Sequence, residues 1–167
     1  MEDKILKIKP YEQHLDLLFK EYWVKLEKAN YISLNKLSEA EPLPKTGGIY
    51  VFYEEKEKPI YVGRTKNIRQ RIQLHTRDSS KNESATFTFN LARMEYRLLF
   101  PDKKKTTRSG LMSDLEFIPL FNLQRDRVQK MYLRYISEEH DILQTILEPY
   151  FALKLKTYPN YNNFETH

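Results

Sequence analysis

Two runs of β-branched and aromatic residues, 48–53 and 59–64 of "GGIYVFYEEKEKPIYVGRT", flank a short charged turn, and a helical pattern starts directly behind them. Runs of this composition favour pleated strands, and the turn between them makes a β-hairpin. In the first strand Tyr50 and Phe52 fall on one face, and Ile49, Val51 and Tyr53 on the other. The next stretch, "NIRQRIQLH" at 67–75, reads as a helix entered from Gly63-Arg64-Thr65. Ile68 and Ile72 mark its inward arc and Leu74 extends it, while Arg69, Gln70 and Gln73 turn outward. Arg71 and His75, four residues apart, share a face between the apolar positions. Burying an unpaired guanidinium costs several kcal/mol, so what this pair faces is the question the segment raises. The free N–H groups at the start of the helix, with cations beside them, form a ready anion site.

The rest of the chain supplies layers for this unit. Leu15, Leu18, Phe19, Tyr22 and Leu26 recur at helical spacing over 11–29, a stripe read as core, and Asn30 suits a helix stop. Ser33 suits the N-cap of a shorter helix. Pro42 and Pro44 break the chain and make 41–47 an entry loop. Helices are expected at 84–95, with Ser84 as cap, and over 109–130. Residues 131–137, "MYLRYIS", alternate as a third strand, and 140–156 form a last amphipathic helix carrying Ile142, Leu143, Ile146, Leu147, Tyr150 and Leu153.

Composition narrows the chemistry. With 40% hydrophobic and 31% charged residues, the 167-residue chain reads as one soluble globular domain. No run approaches a membrane-spanning length, and "MEDKILKIKP" is too charged for a secretory signal, so a cytoplasmic protein is expected. Cysteine is absent, which removes disulfides, thiol nucleophiles and Cys-type zinc sites. His14, His75, His140 and His167 include no pair at metal-ligand spacing, so any metal should be a hard, oxygen-bound ion such as Mg²⁺. The net charge of +5 and pI near 9.2 suit a polyanionic partner. The cations crowd two segments, Arg64, Lys66, Arg69, Arg71 and Arg77 in one and Lys103, Lys104, Lys105 and Arg108 in the other, the second read as a solvated loop.

Gly48-Ile49-Tyr50 and Tyr61-Val62-Gly63, at hairpin spacing, resemble the two signatures of the GIY-YIG nuclease family, with Val in place of Ile in the second. Arg71 and His75 stand where that family places an arginine and a histidine or tyrosine on its first helix. Glu148 matches its metal-binding glutamate and Asn162 its closing asparagine. The resemblance covers roughly 47–163, interrupted near 97–130 by an insertion longer than the minimal domain has. It implies an α+β fold in which a small three-stranded antiparallel sheet is flanked by helices, here at 46–167 behind an N-terminal helical extension at 1–45.

The implied activity is a divalent-metal-dependent endonuclease on DNA. On this resemblance Tyr50, Tyr61, Arg71, His75 and Glu148 are the catalytic set, and Arg71 and His75 face an open cleft where a phosphate sits. Glu148 holds Mg²⁺ or Mn²⁺, and Tyr50 acts as base or relay toward water with help from His75 and Tyr61. Arg64, Lys66, Arg69 and Asn162 are the candidate phosphate and DNA contacts, Asn162 more as an orienting residue. RNA or branched DNA as substrate and a dimer as the active form stay open, and a membrane is not implied. Pro149 disfavours helical geometry at Glu148, so a kink or a helix restart is expected there, and Glu138 and Glu139 are fallback ligands. Taken singly, each residue has an ordinary reading: the tyrosines as strand packing among 12 in the chain, His75 as a helix-end residue, Arg71 as a snorkelling stem, Glu148 as a solvated helical carboxylate. The joint order favours the nuclease over a non-catalytic nucleic-acid-binding module and over a purely structural or protein-binding domain; within the nuclease reading a small stand-alone enzyme comes first and a restriction-type enzyme second.

Overall fold

The computed structural model describes residues 9–37, 42–76, 86–103, 107–159 and 161–162. Its elements run α1 (Lys9–Lys28), β1 (Ile32–Ser33), a 3₁₀ turn (Leu34–Lys36), β2 (Gly48–Glu55), β3 (Lys58–Thr65), α2 (Ile68–Thr76), α3 (Thr86–Leu99), α4 (Arg108–Met112), α5 (Phe117–Gln129), β4 (Tyr132–Ser137) and α6 (Asp141–Lys154). The four strands pair antiparallel in the order β1-β4-β2-β3.

Helices cover both faces of this sheet, which explains why β2 reads as an unbroken apolar run: Ile49, Tyr50, Val51 and Phe52 are all fully buried. Tyr50 and Phe52 join Ile68 and Ile72 of α2 and Phe87 and Leu91 of α3. On the other face Ile49, Val51 and Tyr53 meet Tyr22 and Leu26 of α1 and Leu147 and Phe151 of α6. A third core joins Phe89, Ala92 and Tyr96 of α3 to Leu111 of α4 and to Phe117 and Phe121 of α5. Helix α3 therefore feeds two cores from two sides. Its Phe87 and Phe89 mimic strand alternation because they point into different cores. Among the described residues, no helix is long and apolar enough to cross a membrane.

The sheet has four strands where three are expected. Ile32 and Ser33 pair with Leu133 and Tyr132, and a two-residue strand is too short to show a periodicity. Ser33 does precede a helical turn, but its hydroxyl bonds Asn35 and caps nothing. Residues 109–130 are two helices, broken around Asp114, which accepts the Tyr96 hydroxyl at 2.8 Å and the Glu116 amide at 3.0 Å. Pro119 sits in the first turn of α5, where an absent N–H costs nothing. Helix α6 runs through Pro149 without ending or restarting, so the expected restart at Glu148 does not occur. Leu15, Ile142 and Leu153, placed on apolar stripes, are exposed; among the described side chains of α1, those packed toward the sheet begin at Leu18. Arg77, Ser84, Lys104, Lys105 and His167 lie outside the described residues.

Strand β3 is a sheet edge, and it is held from beyond α6. The Asn162 amide donates to the Val62 carbonyl at 2.6 Å and accepts from the Val62 N–H at 3.0 Å, while Thr157 Oγ1 donates to the same amide oxygen at 2.9 Å. Asn162 is 3% exposed. Asn162→Ala should therefore destabilise the fold by about 3 kcal/mol, the order of cost for leaving two buried backbone groups without partners. Urea unfolding measures it, and a change below about 1 kcal/mol would contradict the clamp.

Candidate active site

Tyr50 and Gly63 are cross-strand partners in the hairpin. The Tyr50 ring lies across β3 at the point where Gly63 has no side chain: a Cβ there would stand 2.4 Å from both Cζ and the hydroxyl oxygen. The glycine of "YVG" thus gives the phenol its passage. Gly48 plays a similar part at the start of β2, where a Cβ would come within 2.2 Å of the Ile136 carbonyl oxygen of β4.

On the far side of that passage α2 meets the phenol. Arg71 Nε donates to the Tyr50 hydroxyl at 3.1 Å, and His75 Nε2, one turn on, lies 3.5 Å from the same oxygen. The four-residue spacing read from sequence thus converges on one atom. Tyr61 stacks on Phe87 at 4.4 Å between ring centres and tilts against Tyr50 at 6.1 Å. Glu148 reaches the cluster from α6, on the opposite face of the sheet, with only 18% of its side chain exposed. Its Oε2 accepts from Arg64 Nε at 3.1 Å, and its charge is felt at both phenols. All five residues proposed as catalytic from sequence meet at one stretch of the β3 edge.

Burial sets their protonation. It pushes the Tyr50 phenol above its ordinary value, with Arg71 offsetting part of the rise, and it pushes Tyr61 well above. Burial, then the neighbouring Arg71 charge, pulls His75 down to about 3. Burial raises the Glu148 carboxyl against the pull of Arg64. For Arg71 burial acts downward, but the charges and hydrogen bonds of Tyr50 and Tyr61 leave its value raised. At neutral pH the cluster therefore holds two phenols and a neutral imidazole beside one guanidinium. The expectation that Arg71 and His75 both face an open cleft is corrected for His75, which is fully buried. Phe52 and Phe87 edge its ring at 5.3 and 6.5 Å, and its Nδ1 has no hydrogen-bond partner.

The other candidates divide. Arg64 is 43% exposed and pairs with Glu148. Lys66 pairs with Asp141 at 3.0 Å on the surface. Arg69 is half-buried and sends its Nε to the Leu43 carbonyl at 2.6 Å, fastening the entry loop. Asn162 faces the backbone of β3, as described. Glu138 accepts from the Tyr22 hydroxyl and from the His140 amide, and belongs to the packing of α1. Phe87 and Thr157 support the site, and no motif marked them; Phe52 was visible only as the face-mate of Tyr50.

The donor set bears on a metal. Among the described residues no three His, Cys, Asp or Glu side chains converge. The oxygens at hand are the Glu148 carboxylate and two phenols, with the imidazole enclosed. Such a set fits a hard divalent cation that keeps most of its waters, as Mg²⁺ does, with Glu148 as its carboxylate and Arg64 as the competitor for it.

Two outcomes test this geometry. Gly63→Ala should cost about 1–3 kcal/mol by overpacking, and the cost should largely vanish in a Tyr50→Leu background. Additive costs in that double-mutant cycle would mean that Tyr50 does not occupy the passage. Separately, His75 titrates near 3 when folded and near 6.5 when unfolded. Between those values the unfolded chain binds more protons, so stability falls as pH drops from about 6.5 toward 3, by up to about 1.4 kcal/mol per pH unit. In His75→Phe this contribution should be missing from urea midpoints measured across the window; equal slopes would contradict a buried, neutral His75.

Residues 46–117 match the family model described as the GIY-YIG catalytic domain. UvrABC system protein C of Methanosphaera stadtmanae is 24% identical over 108 residues, 62% of this chain and 18% of that protein. UvrABC system protein C of Dictyoglomus thermophilum is 33% identical over 51 residues, 30% of this chain and 8% of that protein. The chain thus spans less than a fifth of the length of these curated relatives. No solved structure matches it. Both tripeptides, Arg71 and His75 lie within the segment that matches the GIY-YIG catalytic domain model, and Glu148 lies beyond it.

Proposed function

We propose that this chain is a divalent-metal-dependent endonuclease hydrolysing phosphodiester bonds in DNA. The observation that carries the reading is the convergence of Arg71 Nε, the Tyr50 hydroxyl and the Glu148 carboxylate on one edge from both faces of the sheet. The family model and the likeness to UvrABC system protein C support a nuclease.

Hydrolysis needs charge on the phosphate, an activated water and a support for the leaving oxygen. Arg71 brings a permanent planar charge, half-buried, where its attraction for a phosphate is less screened than in bulk water. Tyr50 is a phenol at rest, its oxygen occupied by the Arg71 N–H. A resident phenolate would need roughly 4 kcal/mol of preferential stabilisation to titrate near 7, and burial works against that. Tyr50 acts instead as a relay: its oxygen takes the proton of the attacking water as its own proton moves on. His75 Nε2, neutral and 3.5 Å away, can accept a hydrogen bond from the phenol and orient it, but burial and the Arg71 charge make it a poor base, so the proton passes on to the surrounding water. Tyr61 positions the Tyr50 phenol. Glu148 would hold the Mg²⁺ or Mn²⁺, which when bound supplies charge to the phosphate and the departing alkoxide. Arg64, released from Glu148, turns to the nucleic-acid backbone.

Supercoiled plasmid with Mg²⁺ or Mn²⁺ tests the assignment. Wild type should give nicked or linear product, and Glu148→Ala and Arg71→Ala should each lose at least about 10²-fold in rate, the scale for deleting one transition-state contact. Unchanged cleavage by Glu148→Ala would remove the metal assignment. Salt-dependent binding without product at any metal concentration would leave a non-catalytic binding module.

A further inference from the structure

A cavity of about 510 Å³ opens on the α1 and α6 side of the hairpin, away from the catalytic cluster. Its walls include Trp23 of α1, Tyr31 and Tyr53, with Arg134 of β4 and Lys154 and Lys156 beside them. The cations are coupled to the rings. The Arg134 guanidinium lies 3.7 Å from the Tyr31 ring centre and 5.8 Å from that of Tyr53, and Lys154 Nζ lies 4.3 Å from that of Trp23. Arg134 Nε is buried and has no hydrogen-bond partner. Two carboxylates, Glu27 and Glu57, also line the cavity, leaving three cations against two anions. Two lining residues, Glu57 and Lys156, hold left-handed backbone conformations, φ 69° and 58°. Glu57 is fixed there by its N–H to the Tyr31 hydroxyl at 2.9 Å.

We propose that this cavity receives an unpaired nucleobase of a single-stranded segment next to the scissile phosphate. The proposal rests on the nuclease reading and supplies its substrate class. Aromatic rings with interleaved cations are the materials of single-strand binding; here the Arg134 guanidinium, lying on Tyr31, is a plane on which a base can stack, and Lys154 and Lys156 are cations for the backbone. The volume falls in the range of small-ligand sites. Helix α6 connects the two places: Lys154 follows Glu148 by six residues, about 9 Å along the helix axis and about 120° round it, so a strand crossing Glu148 turns over the helix to reach the cavity. An unpaired base is required, because a duplex keeps its base faces stacked and cannot offer one to a pocket.

Trp23 is the chain's one tryptophan, so its fluorescence reports on this cavity alone. Titration of the full chain with a ten-residue oligothymidylate, without metal, should quench it saturably. A blunt duplex of equal length and inorganic phosphate should leave it unchanged. Arg134→Gln and the exposed Lys154→Glu should each weaken the apparent affinity about tenfold, within the range for a lost stacking or backbone contact. Absence of quenching at oligonucleotide concentrations that bind by anisotropy overturns the proposal. Equal quenching by the duplex or by phosphate overturns it too, since the cavity would then be a general anion site. The two readings fail separately: quenching without plasmid cleavage removes the nuclease and leaves the base site, and cleavage without quenching does the reverse.

Discussion

Tyr50 can cross β3 only because Gly63 carries no side chain, and the architecture around the hairpin is built on that close approach. The phenol starts on the α2 and α3 face of the sheet, in the core with Phe52, Ile68 and Ile72, and ends at the β3 edge. There it is within the electrostatic reach of Glu148, which belongs to a helix on the opposite face. A flat sheet normally insulates its two faces from each other. A glycine opposite a tyrosine, on an edge strand, lets one polar cluster draw residues from both.

The cluster costs the fold stability. It buries a histidine without a partner for one ring nitrogen, two phenols, and a guanidinium and carboxylate that are mostly enclosed. Unpaired buried polar atoms oppose folding, and natural folds concentrate such costs where chemistry occurs. The compensation lies close by. The aromatic stack of Phe52, Tyr61 and Phe87 surrounds the imidazole, and Asn162 fixes the strand that carries Tyr61.

Much of this was legible in the residues. The hairpin, its two faces and the convergence of Arg71 with His75 follow from strand and helix periods of 2 and 3.6, and the structure repeats them. What escaped was the consequence of depth and of brevity. Periodicity places His75 beside Arg71 but cannot tell a half-buried position from a fully enclosed one, because the enclosing rings come from β2 and from α3. A strand of two residues, Ile32–Ser33, has no period to read. Pro149 was expected to kink the helix or restart it at Glu148, and the restart does not occur, since packing of Leu147, Phe151 and Ala152 against the sheet outweighs one absent backbone bond. Arg69 counted as a DNA contact while it was only a cation in a basic run; its tie to the Leu43 carbonyl depends on where the entry loop returns.

The clamp on Val62 also bears on how this protein behaves among its own copies. An uncovered edge strand displays free N–H and C=O groups and can template pairing with another chain. At Val62 both of these groups are taken by one side chain, so β3 is interrupted as a template at its middle while Tyr61 and Gly63, on either side, stay on the sheet edge. A side-chain amide does what a fifth strand would do, without covering the surface that a fifth strand would hide.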